Sequence, residues 1–192
     1  MPRHADPDLE ERVLNAAQKL WRGGGNKTLS MRSLAKAART NTPAIYRRFK
    51  DREDILRALL LRSRTKQVEA IQAARSLEEA LELYIDFALR NPWEYQLYYS
   101  HEHEMLRPPI ARSPEIGPGF IWVQNQLAER LGGSPADYAS LALALWSVAH
   151  GTVELLISKV VPPPRAAELR EGCRQAVAVL LSDAAQKSSH KT

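Results

Sequence analysis

Apolar residues recur along this chain at spacings of three and four from end to end, and no stretch alternates apolar with polar residues long enough to sit in a sheet. The pattern predicts an all-α fold of about nine helices. Asp6 is placed to cap the first, with Pro7 at its first position, and Leu9, Val13, Ala16, Ala17, Leu20 and Trp21 form one stripe that Gly23, Gly24 and Gly25 terminate. Ser30 caps a short second helix with Met31, Leu34, Ala35 and Ala38 on its inner side. Asn41 or Thr42 caps a third, in which Pro43 suits a helix start and Ile45 and Phe49 point inward. Asp51 and Asp54 open a fourth that runs to about Ala74. Ser76 with Glu79 makes a capping box for a fifth, which ends before Asn91-Pro92, and Trp93 to Met105 is a sixth. The stretch Arg107 to Gly119 holds Pro108, Pro109, Pro114, Gly117 and Pro118 and reads as loop. Phe120 to Leu131 is a seventh helix, Ser134-Pro135 opens an eighth that Pro162-Pro163-Pro164 closes, and Ala166 to Ala185 is a ninth.

Charge divides this string of helices in two. Residues 1 to 66 carry 16 Lys+Arg against 7 Asp+Glu, net +9, whereas residues 67 to 192 carry 11 against 15, net −4. The basic head suits a polyanion, because neutralising phosphates releases condensed counterions; the body should repel the same polyanion or ignore it. Within the head, Lys27, Arg32, Lys36, Arg39, Arg47, Arg48 and Lys50 succeed one another with no acidic residue between them. A solvated basic face is the competing reading, with Tyr46 as a core aromatic, although surfaces ordinarily intersperse charges of both signs. The single cysteine, Cys173, rules out an intrachain disulfide and points to a reducing, cytoplasmic setting. The amino terminus is neither a secretory signal nor an anchor. The uncharged window Tyr138 to Thr152 is shorter than the roughly 20 residues a span needs, so no membrane partner is expected.

Two short helices joined by a tight turn, set in an acid-free basic run, have the layout of a helix-turn-helix, whose second helix enters the major groove while flanking groups grip phosphates. The string also resembles the head of the tetracycline-repressor (TetR) family of transcriptional regulators. The match is Leu34-Ala35, then Pro43-Ala44-Ile45-Tyr46-Arg47-Arg48-Phe49-Lys50, then Arg52-Glu53-Asp54-Ile55-Leu56, at the right distance from the amino terminus. The resemblance implies that Tyr46 and Arg52 meet phosphates, that Ser30 and Arg32 contact the DNA backbone, and that Thr42, Pro43, Ala44 and Arg47 face base edges. Arg48 is a second candidate for guanine, and Asn41 and Lys50 complete the DNA-binding set. Arg39 stands where the family has its turn glycine and Thr40 where it has a small aliphatic. Either the turn is reshaped or the Arg39 guanidinium is a phosphate contact.

The same resemblance implies domains at 1-52 for DNA binding and 53-187 for ligand binding and dimerisation, with a disordered tail at 188-192. It also implies a homodimer on a palindromic operator of double-stranded DNA, repression, and release by a small-molecule effector. For the effector, Tyr84, Phe87, Tyr95, Tyr98, Tyr99, Phe120 and Trp122 could line a cavity; core packing is the plainer fate of each. For the dimer, Trp146, His150, Gly151 and Leu155 of the eighth helix and Leu169, Val177 and Leu180 of the ninth are candidates, with an internal core role as the alternative. His101-Glu102-His103-Glu104 tempts a metal reading, but helical ligand pairs are spaced three or four apart and no third ligand is evident. No cofactor, metal site or catalytic set is expected. A small helical enzyme and a protein-binding adaptor are the other classes the sequence leaves open.

Overall fold

The computed structural model describes residues 8-99 and 117-189, and among these residues there are helices and turns but no strand. The helices are α1 (Leu9–Gly24), α2 (Met31–Ala37), α3 (Thr42–Tyr46), α4 (Arg52–Gln72), α5 (Leu77–Arg90), α6 (Pro92–Tyr99), α7 (Pro118–Leu131), α8 (Ala139–Ile157) and α9 (Ala166–Ser189). Packing groups them into two compact units. One takes in the described chain up to Arg64 together with Trp93–Tyr99; the other holds Thr65–Pro92 and the described chain from α7 onward.

The head unit is built on small and branched side chains. Val13, Ala17, Leu34, Ile45 and Ile55 are wholly buried, and Leu56, Leu59, Phe49 and Trp21 complete a cluster drawn from α1 to α4, with Leu97 of α6 added to it. Each large apolar side chain so buried contributes about 1.5 to 3 kcal/mol. Polar groups then tie α6 to α1. Glu94 is 3% exposed, and its Oε1 accepts from Gln18 Nε2 at 2.6 Å and from Arg22 Nε at 3.1 Å. Arg62 adds bonds to the Leu14 carbonyl, Asn15 and Gln18; burial pushes its guanidinium below the ordinary value, against the pull of Glu11 and Glu94.

The body unit packs α5, α7, α8 and α9 around Leu77, Ile85, Leu127, Leu145, Val153 and Leu181. Ion pairs join its elements. Arg170 of α9 pairs with Glu82 and, at 2.9 Å, with Asp86 of α5; Arg130 of α7 reaches Glu78 at 2.9 Å. Val68 and Ile71 near the end of α4 lie 3.9 and 3.8 Å from where a Cβ on Gly119 would stand, so α7 is drawn close to α4 at that glycine.

Several boundaries differ from the periodic reading. Asp6 and Pro7 lie outside the described residues, and Asp8 precedes α1 without a side-chain cap bond. Gly23 and Gly24 stay inside α1, which Gly25 ends with φ 61°. In the fifth-helix cap Ser76 accepts from the Glu79 amide at 3.0 Å, but Glu79 reaches back to the amide of Arg75, not Ser76, at 2.7 Å. Helix α7 begins at Pro118, inside the expected loop. Pro135–Tyr138 is a 3-10 turn leading into α8. Turn and helix together, Pro135–Ile157, are long and apolar enough for a membrane span, which the shorter window Tyr138 to Thr152 was not; here Ala142, Leu145, Ala149 and Val153 are buried in the body. Finally, α9 continues through Ser188 and Ser189, expected to belong to a disordered tail, because the Ser188 hydroxyl donates to the Leu131 carbonyl at 2.5 Å. The candidate metal residues His101 to Glu104 lie outside the described residues; among those described, no group of three or more His, Cys, Asp and Glu could hold a metal ion.

Candidate nucleic-acid interface

Three local devices fix the geometry of the head surface. Ser30 accepts from the Ser33 amide at 3.1 Å while Ser33 Oγ accepts from the Ser30 amide at 2.9 Å, a reciprocal box that starts α2. Asn41, not Thr42, caps α3, its Oδ1 accepting from the Ala44 amide at 2.9 Å. Asp51 Oδ1 accepts from Asp54 N at 2.8 Å, and Asp54 accepts from the Lys50 amide at 3.1 Å, which starts α4 and places Arg52 in its first turn.

Between α2 and α3 the chain makes a Schellman turn. The Thr40 amide bonds to the Ala35 carbonyl at 2.9 Å and the Arg39 amide to the Lys36 carbonyl at 3.3 Å. Arg39 takes the left-handed position with φ 54°. The turn therefore keeps the shape that a glycine would give it, with arginine in the glycine's place. Arg12 Nε closes the same turn from α1, donating to the Ala38 carbonyl at 3.4 Å.

These devices sort the predicted DNA residues. Tyr46 is 55% exposed, and Arg32, Arg39, Asn41, Pro43, Arg47, Arg48 and Lys50 are exposed, with Thr42 and Arg52 half-exposed. Ile45 and Phe49 turn inward, so α3 presents one polar and one apolar side. Ala44 is a correction: at 6% exposed it packs inward and offers no surface to a base. Ser30 spends its hydroxyl on the α2 cap, and Asn41 spends its carboxamide oxygen on the α3 cap. Arg48 is held by Glu10 of α1, a pairing sequence reasoning missed. Of the seven basic residues from Lys27 to Lys50, Arg48 alone is in an ion pair among the described residues, so the other cations are left to an outside anion.

In the body, the predicted aromatic set does not gather in one place. Tyr95, Tyr98 and Tyr99 of α6 belong to the head unit, where Tyr95 and Tyr99 lie 4.7 Å apart and Arg64 sits 5.2 Å over the Tyr98 ring. Tyr84, Phe87, Phe120 and Trp122 belong to the body, and Phe120 is 8% exposed. Tyr84 is a hub: its hydroxyl accepts from Trp146 Nε1 at 3.2 Å and lies 3.3 Å from His150 Nδ1. Burial holds His150 below the ordinary imidazole value, against an upward pull from Glu154. Trp146 and His150, expected at a dimer contact, are thus half-buried partners of α5. Val177 is also a correction, since at 3% exposed it is core within its own chain. Leu155 at 37% and the unpredicted Val179 at 66% are the exposed large apolar residues of α8 and α9, and a Cβ on Gly151 would meet no atom within 4 Å. An open groove of about 630 Å³ runs along Val148, Thr152, Val161, Leu169 and Cys173, and none of the seven candidate aromatics lines it.

An exposed basic surface on a helix-turn-helix, drawn from an acid-free run and followed by a larger helical body, makes a DNA-binding transcription regulator. The profile of "Bacterial regulatory proteins, tetR family" matches residues 13–59, and that of "Tetracyclin repressor-like, C-terminal domain" matches residues 77–180. The chain belongs to the tetR family. Its fold is shared by solved structures of low identity. A TetR-family transcriptional regulator from Streptomyces coelicolor is 20% identical, with 92% of this chain and 99% of that one covered and a TM-score of 0.60. A transcriptional regulator of the TerR/AcrR family from Aquifex aeolicus VF5 is 18% identical, with 90% and 99% covered and a TM-score of 0.66. The multidrug binding protein EbrR, complexed with imidazole, is 20% identical, with 94% and 93% covered and a TM-score of 0.66. No curated protein matches the sequence.

Proposed function

We propose that this chain is a cytoplasmic, ligand-responsive repressor that binds a near-palindromic operator as a homodimer and leaves it when a small-molecule effector enters the body. The observation that carries the reading is the set of exposed cations around Tyr46 and Arg47 on a capped α3, of which Arg48 alone is in an ion pair among the described residues. Residues 1-52 act as the DNA-binding domain, with Thr42, Pro43 and Arg47 toward base edges and Tyr46, Arg32, Lys50 and Arg52 toward phosphates. Arg48 positions α1 through Glu10. The region 53-187 pairs the subunits and takes the effector. Pairing is supported by the outward Leu155, Val179 and Gly151 on α8 and α9, and an effector by the likeness in fold to a multidrug-binding protein. An effector shifts the dimer off DNA only by as much as its affinity differs between the two subunit arrangements. No catalytic role is assigned.

The test compares variants on a selected operator and on unrelated duplexes. Tyr46→Phe and Arg52→Ala weaken binding to every duplex alike, because they remove phosphate contacts. Arg47→Ala relaxes the preference at particular base pairs, by about 1 to 3 kcal/mol of discrimination. Uniform weakening by Arg47→Ala rejects its assignment as a base reader.

A further inference from the structure

We infer that Arg39 is a phosphate-gripping residue placed in the turn of the helix-turn-helix, an addition to the DNA contacts that the fold does not require; the inference rests on the DNA-binding reading above. The position is one that glycine fills most easily. Arg39 lies just past the C-cap of α2 with φ 54°, in the left-handed region where an L side chain crowds its own backbone. Both bonds that define the turn are made by main-chain atoms, the amides of Arg39 and Thr40, and a glycine would make them equally.

Within the folded chain the Arg39 side chain has little that offsets this strain. It is exposed, and among the described residues no hydrogen bond or ion pair engages its guanidinium. What remains is the favourable placing of a cation at a helix C-terminus. Lys159 isolates that contribution. It is the other non-glycine residue with positive φ, 58°, and it too stands just past the C-cap of a helix, Ser158 of α8, its amide bonding to the Leu156 carbonyl at 3.3 Å. The two residues share strain and helix-end placing but not surroundings. Arg39 lies two residues before the cap of α3 and inside the acid-free run from Lys27 to Lys50, whereas Lys159 lies in the acidic body. A guanidinium in that run, on the loop that delivers α3, is disposed to take a backbone phosphate with two parallel N–H donors.

The experiment measures binding of the full-length protein to its selected duplex and to an unrelated one across a range of salt, with melting temperatures alongside. The variants are Arg39→Gly, Arg39→Lys and Lys159→Gly. Losing one phosphate contact from each subunit of the dimer lowers the log–log salt slope by about 1.8, roughly sixtyfold in affinity at about 0.1 M salt, and equally on both duplexes. Arg39→Gly is expected to show that loss with no drop in melting temperature, Arg39→Lys to keep most of the slope, and Lys159→Gly to bind as the unaltered protein does. Wild-type slope and affinity in Arg39→Gly overturn the inference, as does a loss confined to the selected duplex at unchanged slope. If the unaltered protein itself binds no duplex, the DNA-binding reading falls, which is a different result.

Discussion

Ile45 and Tyr46 are neighbours in α3, one wholly buried and the other 55% exposed. In the body, by contrast, Tyr84 is 5% exposed and still has its hydroxyl shared between Trp146 and His150. The head thus gives holding the fold and facing a partner to different side chains. Burial is completed by Leu34, Ile45 and Phe49, and Tyr46, Arg47 and Arg39 stay exposed beside them. In the body Tyr84 both packs the helices and shares its hydroxyl with α8, while the open groove along Val148, Thr152 and Leu169 is lined by none of the candidate aromatics. A region of the first kind announces its function in sequence, as uniform charge over a conventional stripe. A region of the second kind does not, since core and pocket draw on the same residue types.

The largest effect that probes this contrast comes from Ile45→Ala, which leaves a cavity in the head and lowers stability by about 3 kcal/mol in denaturant unfolding. Tyr46→Phe, one residue on, leaves stability unchanged while weakening DNA binding; a matching loss of stability would show that head residues are not so divided. Next is Tyr84→Phe, which strips a shared hydroxyl from Trp146 and His150 and costs about 2 kcal/mol. Its effect on effector release is expected to accompany that cost, and a variant with unchanged stability would break the contrast from the body's side. The smallest effect is on pH. Burial pushes the His150 imidazole below its ordinary value in the fold, so the unfolded chain takes up a proton first as pH falls. The stability His150 contributes is full above the ordinary imidazole value of about 6.5 and is lost as pH drops below it, until the depressed folded value is reached. Melting temperatures over that range are expected to fall less steeply in His150→Gln.

What could be read in the sequence was what is decided within one helix turn. The caps at Ser30, Asn41, Asp51 and Ser76 are bonds between residues three apart, and the residue types alone foretell them. The same holds for the inward stripe of α3 and the exposed cations beside it. The misses are pairings across helices. Gln18 and Arg22 meet Glu94 over separations of 76 and 72 residues, and Arg48 meets Glu10 over 38, distances at which no periodicity speaks. Glu94 left one trace, as the lone acid in the aromatic stretch of α6. Ala44 and Val177 were placed on the wrong side because a small or apolar residue near the edge of a stripe is turned in or out by the helix packed against it. The division of aromatics between the two units has the same origin, since α6 joins the head through Glu94 and Leu97.

Selection of duplexes from a random pool by the purified protein, repeated at two salt concentrations, tests the central claim most directly. A two-fold symmetric site enriched at both, with affinity falling steeply as salt rises, is the predicted result. A pool that stays random at low salt, where phosphate contacts are strongest, would contradict it.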